Sequence, residues 1–311
     1  MSGQLHPPAD AQLGPAPAPP PGTPHHGHAD AYDDWATLYD ETVGIDYVEP
    51  QRKLLERVLL PGLPAGAQLL DLCCGSGLLI RPLLQAGYRV TGLDGSAGML
   101  ACARRNAPQA AFLLDDARHF DLAPQFDGAF STSASLNHID TLEDLCLVFE
   151  RVHAALKPGA AFVFDLNHPA QLARWWRGVP YEGELRADVG WLITPRYDAA
   201  TRRGAFRVTT FRPPADGAGG LLRPLKRLLY GVLSRPRFIG LRLALLQRLG
   251  RIEPRWRRQD VDYPITGHDL GEVRAALLAA GFASVRLETI DGSTDVDDRH
   301  AAHFIAVKGG G

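Results

Sequence analysis

The chain has 311 residues, 45% hydrophobic and 22% charged, so wholesale disorder is excluded and a core can be buried without staples. That length suits two domains, or one α/β domain with insertions. The formal net charge of −2 averages unlike parts: residues 1–50 hold eight acids and no Lys or Arg, whereas residues 212–260 hold twelve Lys or Arg against three acids.

Four cysteines (Cys73, Cys74, Cys102 and Cys146) make no disulfide framework and lack zinc-finger spacing, which points to a reducing compartment. No basic segment followed by an apolar run opens the chain, and no stretch of about 18 apolar residues occurs. A soluble cytoplasmic protein with no metal site is expected. Residues 1–30 hold eight of the 24 prolines and read as a disordered tail. Its cluster His25, His26 and His28 is either a weak metal ligand or simply solvated.

From residue 31 the chain reads as globular. A helix is expected over 50–60, opened by Pro50. Strands and helices then alternate: strand 68–73, helix 78–86, strand 89–93, helix 96–106, strands 111–114 and 126–131. Helix 142–156 follows, stopped by Lys157-Pro158-Gly159, and then strand 161–166. Such alternation implies a doubly wound α/β sheet. Residues 181–211 switch to period two, as antiparallel hairpins do. Helix 268–280 and strands 284–290 and 303–307 return to α/β. Three parts follow: a tail over 1–30, an α/β domain over 31–167 and 265–311, and an inserted substrate or lid subdomain over 168–264.

The segment Leu69-Leu70-Asp71-Leu72-Cys73-Cys74-Gly75-Ser76-Gly77 follows a strand and opens a helix. Two neighbours sharpen this weak glycine signal. Asp94 closes the second strand 19 residues beyond Gly75, where an acid can bridge a ribose diol, and Asp115-Asp116-Ala117 closes the third. A dinucleotide site would want a third glycine where Ile80 stands, and the charge of Asp71 would repel a diphosphate while attracting a sulfonium or amine. The charge sign favours S-adenosylmethionine over a nicotinamide dinucleotide. No Gly-Lys-Ser/Thr follows, which excludes a kinase-type phosphate loop.

LLDLCCGSG, VTGLDGSAGML, FLLDDARHF, FDGAFSTSASLNHI and LKPGAAFVFDL together resemble the class I S-adenosylmethionine-dependent methyltransferases, over residues 31–167 and 265–308. The resemblance implies a Rossmann-like seven-stranded sheet with an antiparallel last strand. It implies that Gly75 and Gly77 admit the methionine portion of S-adenosyl-L-methionine, with Asp71 positioning its ammonium. Asp94 would hold the ribose, with Gly95, Ser96 and Met99 beside the adenosine. Asp116 and Ala117 would face the adenine, and Ser131 and Thr132 would floor the methionyl pocket. Cys73 and Cys74 stand where the family often has small residues, and they read as compact filler rather than redox groups. Tyr39-Asp40 resembles the segment that covers the cofactor in small-molecule members, or else Tyr39 is helix packing.

Displacement at a sulfonium needs alignment more than a base. The base candidate is His138, beyond the fourth strand at the carboxyl edge where ligands bind in open α/β sheets, or else it is a loop histidine that satisfies backbone groups. Asn137, Asp165, Asn167 and His168 are expected at the same cleft as substrate contacts, unless Asp165, Asn167 or His168 caps the following helix. Trp191, with Trp175, Trp176 and Tyr181, lines an acceptor pocket or packs the insertion. Asp/Asn-Pro-Pro-Tyr does not follow the fourth strand and Pro-Cys is absent, which argues against adenine-N6 and cytosine-C5 DNA methylation. A small or amphipathic acceptor methylated at oxygen or nitrogen is the expectation. The alternatives are a non-catalytic cofactor-binding scaffold or regulator, and an enzyme acting on a membrane-associated or RNA acceptor.

Residues 221–233 place Leu221, Leu222, Leu225, Leu228, Leu229 and Val232 on one helical arc, with Arg223, Lys226, Arg227 and Tyr230 on the other. In 237–249, Arg242 falls inside the apolar arc. Such a segment lies on an anionic membrane over 221–250, closes over a hydrophobic substrate, or is a lid helix burying its apolar arc. Nucleic acid has no strong signal, because aromatic interleaving is lacking.

Overall fold

The computed structural model describes residues 26–214, 223–297 and 300–310. Helix α1 (His26–Glu41) begins inside the stretch expected to be a tail, so residues 26–30 are helical. Residues 1–25, including His25, lie outside the described residues. Trp35, Ala36 and Leu38 supply the buried face of α1. Helix α2 (Val43–Val58) carries Pro50 inside it rather than at its start. Val43, Gly44, Gln51, Leu54 and Leu55 form one buried stripe through the proline, whose exposed position leaves the lost hydrogen bond to water.

Next come β1 (Gln68–Leu72), α3 (Ile80–Gln85), β2 (Arg89–Asp94), α4 (Ala97–Asn106), β3 (Ala111–Leu114), β4 (Phe126–Ser131), α5 (Leu142–Ala155), β5 (Leu156–Leu166) and α6 (Pro169–Trp175). Lys157-Pro158-Gly159 does not separate helix from strand as expected. Phe126 faces Leu156 and Gly128 faces Ala161, so β5 bulges between them, with Gly159 at φ +80°. The Lys157 ammonium lies 2.6 Å from Asp127 Oδ1 across the bulge.

The chain continues through β6 (Glu182–Leu185), β7 (Gly190–Asp198), β8 (Arg203–Arg212), α7 (Arg223–Leu233), α8 (Ile239–Gln247), α9 (Leu249–Ile252), β9 (Arg257–Thr266), α10 (Leu270–Ala279), β10 (Phe282–Glu288) and β11 (Ala302–Lys308). Strands β6-β7-β8-β9 form a four-stranded sheet. The expected hairpins are its first three strands. Strand β9 escapes a hydropathy reading because its first half is charged; Asp260 and Asp262 are spent on Thr209 (2.6 Å) and Arg207 (2.8 Å).

The seven-stranded sheet runs β10-β11-β5-β4-β1-β2-β3, with β11 antiparallel to both neighbours and the other pairings parallel. Both faces are covered, so the central stretch of β5, Ala160 to Phe164, is apolar on both sides. Phe162 and Phe164 pack with Leu145, Phe149 and Val152 of α5 and Leu277 of α10. Val163, one residue out of phase, packs with Leu54 and Leu55 of α2 and Ile80 of α3.

Two compact units result. Residues 28–177, 196–205 and 263–311 form the larger, so 168–177, 196–205 and 263–264 cluster outside the subdomain expected over 168–264. Residues 178–195 and 206–262 form the smaller, whose core includes Leu185, Leu192, Phe211, Tyr230, Leu233, Leu246 and Leu249. Arg242 is buried there as a clamp, donating from Nε to the Gly183 carbonyl (2.7 Å) and from a terminal nitrogen to the Leu233 carbonyl (2.9 Å). Among the described residues, no helix is long and apolar enough to cross a membrane.

Candidate functional site

The turn after β1 is built from unusual backbone: Cys73, Gly75 and Gly77 have φ of +59°, +54° and +71°. Glycine tolerates that region without penalty, whereas Cys73 is held there against its preference. A Cβ on Gly77 would stand 2.9 Å from the Ala103 Cβ of α4, so this glycine is needed for close helix packing. A Cβ on Gly75 would meet nothing within 4 Å, so the loop is open at that point. Burial pushes the Cys73 and Cys74 thiols upward, which keeps them protonated and poor nucleophiles.

Asp71 is 3% exposed, and no hydrogen-bond donor among the described residues reaches its carboxylate. Burial, and then the nearby Asp94 charge, push it well above the ordinary carboxylate value. A buried carboxylate of this kind is costly unless a cation meets it. Its place beneath an open glycine loop fits the ammonium end of an S-adenosylmethionine.

Asp94, at the end of β2, accepts the Gly75 N–H at 2.8 Å and the Ser96 N–H at 2.9 Å, one on each oxygen. Burial raises its pKa against these two bonds. Asp94 therefore ties the glycine loop to the start of α4, a task sequence reading does not disclose, and retains lone pairs for a ribose diol. Ser96 caps α4 by accepting the N–H of Met99, which is buried. Gly95 has no neighbour closer than the Asp115 carbonyl, 3.9 Å from an added Cβ. Asp116 is gripped by Arg118 through both oxygens, at 2.9 and 2.5 Å, and that guanidinium also reaches Asp144 (3.2 Å). Arg118 holds Asp116 below the usual carboxylate range, so Asp116 is a fixed anion rather than a free acceptor. Ala117 is buried beside it.

Helix α1 is fastened by acids of the basic-free N-terminal region. Asp33 Oδ1 accepts from the Ser96 hydroxyl (2.5 Å) and the Gly98 N–H (2.6 Å) at the positive end of α4. Asp40 accepts from Asn106 (2.6 Å), whose same nitrogen lies 2.9 Å from the Ser76 carbonyl of the glycine loop. Tyr39 packs over Gly44, where an added Cβ would lie 2.8 Å from its ring.

Tyr32, not singled out by its sequence context, stands at the centre. Its hydroxyl is 3.0 Å from His138 Nε2, and its ring lies 4.6 Å from that of Tyr263. Burial, with Tyr263, Tyr39, Asp94 and Cys73 around it, pushes its pKa well above the ordinary value. His138 Nδ1 is 2.7 Å from the Pro264 carbonyl. A carbonyl only accepts, so Nδ1 carries a proton; in the neutral ring Nε2 is then the acceptor that faces the Tyr32 hydroxyl.

The other expected contacts divide. Asn137 is fully buried and spends its amide on backbone, donating to the Thr266 carbonyl (2.7 Å) and accepting the Asn167 N–H (2.9 Å). These bonds tie the turn after β4 to the ends of β9 and β5. His168 caps α6, accepting the Ala170 N–H at 3.1 Å. Asp165 is buried and accepts the Ala134 N–H at 2.9 Å. It thereby holds a turn whose Ser133 and Ala134 have φ of +64° and +55°, just after β4 and the buried Ser131. The Asn167 side chain is half-buried. Trp191 belongs to the smaller unit, where it is buried.

The family model described as a methyltransferase domain matches residues 69–159. Bacillus subtilis YqeM is 32% identical over 148 residues, 46% of this chain and 58% of that protein. The dTDP-3-amino-3,6-dideoxy-alpha-D-glucopyranose N,N-dimethyltransferase of Streptomyces fradiae is 32% identical over 151 residues, 48% of this chain and 56% of that protein. The chain thus spans less than two thirds of the length of these curated relatives. An S-adenosylmethionine-dependent methyltransferase from Clostridium acetobutylicum superposes with a TM-score of 0.63 at 15% identity, covering 90% of this chain and 99% of that one. Residues 69–159 are therefore a methyltransferase domain, and the sheet that carries them has the fold of the class I S-adenosylmethionine-dependent methyltransferases.

Proposed function

We propose that this protein transfers a methyl group from S-adenosyl-L-methionine to an oxygen or nitrogen of a small or amphipathic metabolite. The observation that carries this reading is the buried, unpartnered Asp71 beneath the open Gly75–Gly77 turn, with Asp94 beside it. When bound, S-adenosylmethionine supplies a methyl group on a positively charged sulfur, so the protein's main task is alignment. Asp71 would meet the ammonium, Asp94 the ribose, and the Ala117 region the adenine. The Nε2 of His138 is the group suited to take a proton from a hydroxyl or ammonium acceptor, since its tautomer is set by Pro264. Tyr32 occupies that nitrogen in the structure, so an acceptor would replace its hydroxyl there or use it as a bridge.

The dTDP-amino-sugar N,N-dimethyltransferase among the relatives makes amino sugar nucleotides a sensible first class of acceptor. The test incubates the full chain with S-adenosylmethionine and a panel of amino sugar nucleotides, hydroxylated aromatics and carboxylic acids, and follows S-adenosylhomocysteine. Release with one acceptor class is expected. Cofactor binding without release across the panel would favour a non-catalytic scaffold, and no cofactor binding in calorimetry would refute the site.

A further inference from the structure

We propose that the exposed aliphatic side chains of α7, α8 and α9, with the arginines around them, form a docking surface for an anionic lipid bilayer. Hydropathy leaves open whether the arc of α7 that contains Leu228 and Leu229 packs inside or faces outward. The structure seats it outward. Tyr230 and Leu233 are buried, while Leu228 is 69% and Leu229 53% exposed. The inward side is pinned by one acid: Glu253 Oε1 lies 2.5 Å from the Lys226 ammonium and 3.1 Å from the Tyr230 hydroxyl. An amphipathic helix held by its more polar side leaves its apolar arc for another partner. Within the same unit, Leu241 of α8 and Ile252 of α9 are 55% and 49% exposed.

Charge identifies the occupant. Arg235, Arg237, Arg248 and Arg251 are exposed on and between these helices. Between residues 221 and 259 the sequence contains a single acid, Glu253, already engaged by Lys226 and Tyr230. Aliphatic side chains among uncompensated arginines match a surface that is apolar inside and phosphate-bearing outside, as an anionic bilayer is. A second copy of the chain would bring two cationic surfaces together. A nucleic acid would satisfy the arginines and leave the leucines in water. The attachment is peripheral, since no described helix is long and apolar enough to span a membrane. It does not rest on the methyl-transfer reading, because lipid binding is read without cofactor or acceptor.

The test uses the full chain and sedimentation with vesicles of phosphatidylcholine, with or without about one third phosphatidylglycerol. Partitioning at least about tenfold stronger on the anionic vesicles is expected, falling as salt rises from about 50 to about 500 mM. The double variant Leu228→Glu/Leu229→Glu changes two exposed positions and should keep the wild-type melting curve while losing at least about tenfold in binding. Removing Arg248 or Arg251 as alanine should cost about fivefold each. Four results would overturn the proposal: no binding to anionic vesicles, equal binding to neutral ones, wild-type binding by the double variant, or an oligonucleotide bound as tightly as the anionic vesicles. A lipid-free dimer in analytical ultracentrifugation that the double variant dissociates would reassign the surface to self-association.

Discussion

The Tyr32 hydroxyl lies 3.0 Å from His138 Nε2, joining the first helix to the turn after β4 across 106 positions of sequence. The bond stands at the carboxyl edge of the sheet, where open α/β folds place their ligands. With the other ring nitrogen committed to Pro264, the neutral imidazole has one tautomer, with Nε2 as its acceptor.

If Nε2 receives the acceptor's proton, His138→Ala lowers kcat by about 10²–10⁴-fold with a much smaller change in KM. Tyr32→Phe, which deletes one hydrogen bond, should cost about 1 kcal/mol of stability and leave kcat nearer the wild type. Equal loss of melting temperature in both variants, with kcat per folded molecule unchanged, would reduce the pair to a structural tie.

Asp71→Asn should move stability and binding in opposite directions. The folded-state pKa of Asp71 is raised, so its contribution favours folding at low pH and is lost as pH rises from near 3.8 through the raised value. At neutral pH the asparagine variant escapes most of the cost of a buried, unpaired charge. Its apo form should melt higher, by an amount equivalent to about 1–3 kcal/mol. Its affinity for S-adenosylmethionine should fall tenfold or more on the order-of-magnitude scale of a lost charge-assisted contact. Wild-type binding should also release protons at pH values where Asp71 is still protonated, detectable as a buffer-dependent heat in calorimetry. Absence of both effects would remove Asp71 from the site.

Asp94 carries loop structure and cofactor contact together, so alanine substitution does not separate them. Asp94→Ala deletes acceptors for both the Gly75 and Ser96 amides and should cost about 1.5–3 kcal/mol per bond, along with cofactor binding. Asp94→Asn keeps one acceptor oxygen and should lose less stability. A wild-type melting temperature for the alanine variant would show that these bonds do not hold the loop.

His303 faces Asp165 on one side and Glu288 on the other in strand register, and it is buried. Burial holds its pKa below the ordinary 6.5, so its stabilising contribution is present above pH 6.5 and is lost as pH falls through the folded-state value. Asp165, raised by burial, has the opposite slope, losing stability as pH rises from near 3.8. His303→Gln should therefore flatten the acid-side loss of stability below pH 6.5 in denaturant titrations. Part of the slope should remain, because buried His268 is shifted the same way. An unaltered slope would exclude His303 as its source.

Where a short apolar run is bounded by turn residues, hydropathy and structure agree: β3 and β4 occupy residues 111–114 and 126–131, as periodicity and flanking polar loops require. Agreement fails where partners distant in sequence decide. Strand β9 is half charged and exists because Arg207 and Thr209 meet its acids. Helix α2 passes through Pro50 because its buried stripe continues on both sides. Asp116 looks like a free acid in sequence, but Arg118, anchored also on the distant Asp144, grips it in space.

By itself the sequence determines the alternation that builds the parallel sheet, the glycine turn, and the acids at the ends of β1, β2 and β3. These depend on local backbone preference and hydrophobic period, both of which are written residue by residue. Only the tertiary structure decides that Tyr32 meets His138, that Asp94 binds the glycine loop, and that α7 turns Leu228 and Leu229 outward. Those outcomes depend on which of several possible partners wins a buried contact. For α7, Glu253 holds Lys226 and Tyr230 inward, and the apolar arc is left on the surface.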